Sequence, residues 1–178
     1  MLSCYNLNMA QVLVILRGAP ASGKSTISKA LRNFDKKIVW FKTDNLKEFF
    51  LNPADDKALD EVFETCYAVL DNLLERGYSV IYEGIFKKPE YAQKAIDIGK
   101  ERNIPITIYQ LECSLETLKK RDKGRSGVTN GIRPPMEETV IESLLRKVEE
   151  NPIEGAIKLN TEEKSLEDCI EIIGKNFE

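Results

Sequence analysis

Residues 18–25, Gly-Ala-Pro-Ala-Ser-Gly-Lys-Ser, set two glycines, a lysine and a hydroxyl at the spacing G-x-x-x-x-G-K-[ST]. Glycines in such a run let the backbone wrap a phosphate with its N–H groups pointing inward, and a following helix adds the positive end of its dipole. Lys24 is then the group that reaches the β- and γ-phosphates, and the Ser25 hydroxyl is a ligand for Mg²⁺. The expected nucleotide-binding residues are Gly18, Ala19, Pro20, Ala21, Ser22, Gly23, Lys24, Ser25 and Thr26, with ATP and Mg²⁺ as cofactors. An ordinary glycine turn between strand and helix would have no need of Lys-Ser after its second glycine.

Phosphoryl transfer to a hydroxyl needs a carboxylate beside the acceptor, and Mg²⁺ needs an acidic partner, often through water. Asp44 follows the run KIVWFK and Glu83 ends the run YSVIYE. Both fall at the carboxyl ends of expected strands, where α/β sheets bind ligands. Two positions match two tasks, and spacing alone leaves open which residue takes which. The competing reading of Asp44 is a cap or first-turn charge for a helix over 45–51. For Glu83 it is a solvated strand end, which Gly84 disfavours by permitting a ligand to approach.

Lys119, Lys120, Arg121, Lys123 and Arg125 form a basic cluster interrupted only by Asp122, and Arg133 lies further on. Residues 123–135 are rich in Gly, Ser, Asn and Pro without apolar periodicity, so they read as a mobile lid loop. A lid that brings arginine to a transferring phosphoryl group stabilises its charge and excludes water. Arg121 and Arg125, four apart and read as sharing one helix face, are the preferred candidates for catalysis and nucleotide contact. The alternative is a solvated helix face followed by a loop.

The surrounding elements are set by periodicity. Residues 11–17, 37–42, 78–83, 106–112 and 156–159 read as strands, the first a continuous apolar run of the kind buried in parallel sheets. Helices are expected over 24–33, 45–51, 55–76, 89–102, 115–122 and 136–150, with a last one capped by Ser165. The 45–51 helix is expected to stop at Asn52-Pro53. Leu59, Val62, Phe63, Cys66, Leu70, Leu73 and Leu74 define the buried face of the long helix; Val140, Leu144 and Val148 are read as that of the 136–150 helix. Strict alternation of strand and helix predicts α/β architecture: a three-layer P-loop NTPase fold with a five-stranded parallel sheet and helices on both faces. One domain spans 1–178, its residues 1–10 read as a disordered N-terminal extension, with Met9 an alternative start.

Composition narrows the chemistry. The 178 residues include no histidine, which removes Ser-His, Cys-His and two-His metal sites. The four cysteines, Cys4, Cys66, Cys113 and Cys169, form no CxxC pair and read as reduced, mostly buried thiols. A net charge of −3 argues against a surface built for long duplex nucleic acid. No segment reads as a signal peptide or membrane span, so a cytoplasmic protein without a membrane partner is expected.

With these motifs in order, the chain resembles small P-loop kinases of the polynucleotide-kinase and zeta-toxin-like group. LRGAPASGKST is similar to the opening of that group, and FKTDNLKEFF to its second-strand motif, whose aspartate is the catalytic base. That role maps to Asp44. VIYEG is similar to the zeta-toxin strand ending in Glu-Gly, here Glu83 and Gly84, with Ile85 where those toxins have threonine. LECSLETLKKRDKGR resembles the polynucleotide-kinase lid, whose arginines contact ATP phosphates and flank the base; this maps to Arg121 and Arg125. The implied activity is ATP-dependent transfer of the γ-phosphoryl group to a hydroxyl on a nucleotide, a nucleic-acid 5′-end, a sugar nucleotide or a small metabolite. The alternative is a P-loop ATPase or nucleotide-binding regulator without an acceptor.

Overall fold

All six residues of β1 (Leu13–Gly18) are buried, because the strand runs between two neighbours and beneath helices on both faces. The structure, a computed structural model, describes residues 10–50 and 56–178. The sheet has five parallel strands in the order β2 (Ile38–Lys42), β3 (Ser79–Gly84), β1, β4 (Ile106–Glu112) and β5 (Ile157–Asn160). This is the expected α/β fold. β1 pairs with β3 on one side and β4 on the other, so successive strands are added first to one side and then to the other, which opens a crevice at the strand ends.

The two-residue period of β1 divides the core. Leu13 and Ile15 pack beneath α3 (Asp56–Glu75) and α4 (Pro89–Glu101), among Val62, Phe63, Cys66, Leu70 and Ala92. Val12, Val14 and Leu16 face α1 (Lys24–Leu31) and α8 (Leu166–Gly174), meeting Ile27, Leu31, Cys169 and Ile173. A short 3₁₀ turn, Lys175–Phe177, closes that face with Phe177. The Ser165 cap of α8 is as expected, with Asp168 completing a reciprocal capping box. Cys66, Cys113 and Cys169 are free thiols; Cys4, residues 1–9 of the expected 1–10 extension and the Asn52-Pro53 stop lie outside the described residues.

Three elements differ from expectation near the crevice. α2 spans Thr43–Lys47, so the chain turns helical directly after Lys42 and Asp44 sits in the first turn, not at the cap. α5 (Leu115–Lys123) ends at Gly124, and a short helical turn, α6 (Ser126–Thr129), forms within the segment expected to be loop. Because Gly124 ends α5, Arg121 and Arg125 do not share a helix face.

In α7 (Glu138–Glu150) the buried residues are Ile141 and Val148, with Leu145 beside them, while Val140 is 40% exposed. At 100° per residue, 141, 145 and 148 span an arc of about 60°, whereas 140, 144 and 148 span about 80°. The tighter stripe faces Leu118 of α5 and Ala19 and Ala21 of the glycine loop.

Arg17 departs from the apolar pattern of β1, yet it is fully buried. Its guanidinium donates to Gln110 Oε1 at 2.7 Å, to the Asn151 carbonyl at 2.6 Å and to the Phe86 carbonyl at 3.2 Å. Burial lowers its pKa to about 10. The residue ties the loop after β3 and β4 to the end of α7.

Candidate active site

The loop between β1 and α1 needs residues that tolerate left-handed backbone. Ala21 and Gly23 have φ of 65° and 100°, and a side chain at Gly18 would lie 2.8 Å from the Leu111 carbonyl. The loop therefore closes on itself, and Lys24 folds into it. Its Nζ donates to the carbonyls of Gly18 at 2.9 Å and Ala19 at 2.8 Å. Burial lowers the Lys24 pKa to about 8, against the opposing pull of Glu83 and Asp44.

Glu83 and Ser25 meet because of strand alternation. Ile81 and Glu83 project from the face of β3 that α1 covers, as do Ile38, Trp40 and Lys42 from β2. Ser25 Oγ donates to Glu83 Oε1 at 2.6 Å, and Trp40 Nε1 donates to Glu83 Oε2 at 2.7 Å. Glu83 is only 1% exposed, so both carboxylate oxygens are held. At Gly84 a Cβ would lie 2.9 Å from the buried Phe86 ring and 3.1 Å from Thr43 Oγ1, so packing alone requires glycine there.

Asp44 stands at the next strand end. Its carboxylate meets Lys47 at 2.8 Å and Lys42 at 3.6 Å. Burial pushes its carboxyl up, but the charge and hydrogen bond of Lys47, with Lys42 and Lys24, outweigh this and hold it below the usual value. Asp44 is thus an anion at neutral pH.

A single cleft of about 760 Å³ gathers most of the expected residues. It runs from Lys42 and Asp44 at the end of β2, past Glu83, Ile85 and the loop residues Pro20 to Thr26, to Thr161, Ser165 and Leu166 before and within α8. Arg121 and Arg125 both line it, from different elements. Arg121 donates to Thr161 Oγ1 at 2.8 Å and to the Thr161 carbonyl at 2.6 Å, while Arg125 lies 3.4 Å from Asp122. Gly18 and Ala19 do not line the cleft; they hold Lys24 through their carbonyls.

Sequence reasoning passes over Trp40, Asp122 and Thr161. Trp40 carries a usable signal, since period 2 puts it on the same face of β2 as Lys42. Thr161 carries none, because its role depends on where β5 ends relative to α5.

The donor set at Ser25 and Glu83 is a hydroxyl and a carboxylate, hard oxygens suited to Mg²⁺, which fills its remaining positions with water and phosphate. Among the described residues no cluster of three or more His, Cys, Asp or Glu offers another metal site. Among them, too, no helix is long and apolar enough to cross a membrane.

Residues 13–151 match a family model described as an AAA domain. A chain of the Pnkp1/Rnl/Hen1 RNA repair complex superposes with a TM-score of 0.66 at 20% identity, covering 83% of this chain and 47% of that one. This chain thus spans about half the length of that relative. A gluconokinase from Sinorhizobium meliloti gives 0.67 at 15% identity, covering 96% of this chain and 93% of its own. The APS kinase CysC of Mycobacterium tuberculosis, solved with AMPPNP and APS, gives 0.64 at 19% identity, covering 93% and 96%. At such identities the likeness shows the fold, that of small P-loop kinases.

Proposed function

We propose that this chain, which belongs to the AAA domain family, is an ATP-dependent kinase that moves the γ-phosphoryl group to a substrate hydroxyl. The observation that carries this reading is the direct Ser25–Glu83 hydrogen bond beside a second strand-end carboxylate, Asp44, in the same cleft. Arg121 and Arg125 line the same cleft, and arginines that close over the phosphates to exclude water favour transfer to an acceptor over hydrolysis.

The roles divide along the cleft. The β5–α8 half holds the flat Arg121 guanidinium, Thr161 and the partly exposed Leu166, which suits a nucleobase. Loop N–H groups and Lys24 take the phosphates, Lys24 leaving its carbonyl partners to do so. Ser25 and Glu83 would hold Mg²⁺, which when bound neutralises charge on the β- and γ-phosphoryl oxygens. Asp44, already ionised, orients the acceptor hydroxyl and receives its proton as the oxygen attacks phosphorus and the bond to the β-phosphate oxygen breaks. Arg125 stabilises charge on the transferring group.

The neighbours' names cover a gluconokinase, an APS kinase and an RNA repair complex, so the fold itself does not choose an acceptor. The test is incubation of the purified protein with γ-labelled ATP·Mg²⁺ and a panel of oligonucleotides, nucleotides, sugar nucleotides and small alcohols. The expected result is label in one organic class. Label in inorganic phosphate alone, across the panel, would replace the kinase reading with that of an ATPase.

A further inference from the structure

Asp122 interrupts the basic cluster in sequence, and in the fold it lies beneath that cluster. Its side chain is 1% exposed. Oδ2 accepts the Met136 backbone N–H at 2.7 Å, which pins the carboxylate to the start of the segment leading into α7. Oδ1 faces two cations at once, Arg125 Nη1 at 3.4 Å and Arg133 Nη2 at 3.5 Å. Both distances exceed the roughly 2.7–2.9 Å of a tight charge-assisted bond, and although Arg133 Nη1 also donates to the Pro134 carbonyl at 3.3 Å, a five-donor guanidinium has capacity for another anion.

Both arginines line the phosphate cleft. They meet there because the chain doubles back: the Arg133 N–H donates to the Gly127 carbonyl at 3.0 Å, and the Arg133 side chain lies along Gly127. Two guanidiniums so close repel each other. One carboxylate between them cancels part of that repulsion and leaves a net positive pair facing the cleft.

We propose that Asp122 is a positioning residue whose single buried oxygen holds Arg125 and Arg133 together over the glycine loop, making Arg133 a second polyphosphate-binding arginine. The proposal rests on the nucleotide-binding half of the reading above and needs no acceptor. A carboxylate that only caps a turn would serve the Met136 N–H equally well without either arginine.

The test is calorimetric titration with a non-hydrolysable ATP analogue and Mg²⁺. Asp122→Asn and Arg133→Gln are each expected to weaken binding roughly tenfold, the scale of one charged hydrogen bond. In a background carrying both Arg125→Gln and Arg133→Gln, adding Asp122→Asn should cause no further loss, because its effect passes through the arginines. Equal loss in both backgrounds, or unchanged affinity for Arg133→Gln, overturns the proposal. Should Asp122→Asn fail to fold, Arg133→Gln decides alone, since its side chain is 39% exposed and its loss leaves the core intact. Failure to find any phosphorylated acceptor would remove the kinase reading and leave this titration standing.

Discussion

The Ser25 hydroxyl donates to the Glu83 carboxylate at 2.6 Å, joining the first turn of α1 to the end of β3. Two residues 58 apart in sequence therefore present adjoining oxygens to the same cleft. Register explains the meeting: Leu16 of β1 lies beside Glu83, and the loop that follows β1 delivers Ser25 above it.

Trp40 holds the other oxygen of Glu83, so Trp40→Phe should disturb the site while leaving a ring in place. Loss of a hydrogen bond to a charged, buried group is expected to cost about 1.5–3 kcal/mol of stability. It should also raise the Mg²⁺ concentration needed for half-maximal turnover, because Glu83 loses its fixed orientation. Denaturant unfolding and a Mg²⁺ titration check this; if neither changes, Trp40 does not orient the carboxylate.

Lys24 provides a pH signature. Its pKa of about 8 in the folded protein lies below the 10.5 of the free side chain. Between those values the unfolded chain binds more protons, so this group makes stability rise with pH across that window. Polyphosphate favours the charged lysine, so nucleotide binding above about pH 8 should take up a proton, approaching about one per site by pH 9. Affinity should fall as pH rises through 8 and beyond. Calorimetry in buffers of different ionisation heat measures the uptake, and Lys24→Gln should abolish it.

Asp44→Asn separates a base from a structural charge. The carboxylate is half exposed and its lysine pairs are near the surface, so the stability change should stay within about 1 kcal/mol. Transfer to the acceptor should slow by roughly 10²–10⁴-fold with nucleotide affinity little changed. A near-normal transfer rate would leave Asp44 as a first-turn helix charge only.

The stripe of α7 is tested by a matched pair. Ile141→Ala should cost about 2–5 kcal/mol and loosen the glycine loop, since Ile141 is 1% exposed among Ala19, Ala21 and Leu118. Val140→Ala should stay within about 0.5 kcal/mol. Equal costs, measured by denaturant unfolding, would contradict the observed face.

What was legible in the sequence follows from how local its cause is. The glycine loop, the apolar runs that form the strands and the carboxylates at their ends are set by residues within one element, and they stand where expected. Asp122 and Thr161 acquire their roles from elements that meet only after folding: α5 with the segment leading into α7 in one case, and the β5–α8 turn with Arg121 in the other. The packing demand at Gly84 is equally non-local, because it comes from Phe86, a ring whose position depends on φ of 46° two residues later. Arg121 and Arg125 share a cleft without sharing a helix face, because Gly124 stops α5 between them.

The central claim is that the γ-phosphoryl group goes to an organic hydroxyl and not to water. A single-turnover reaction in heavy-oxygen water, with ATP·Mg²⁺ and the acceptor selected from the panel, reads this directly by mass spectrometry of the products. Transfer places the acceptor's own oxygen in the new ester, so the account predicts a phosphate monoester without solvent oxygen and little free phosphate. Inorganic phosphate carrying one solvent oxygen as the dominant product, with acceptor saturating, would contradict it.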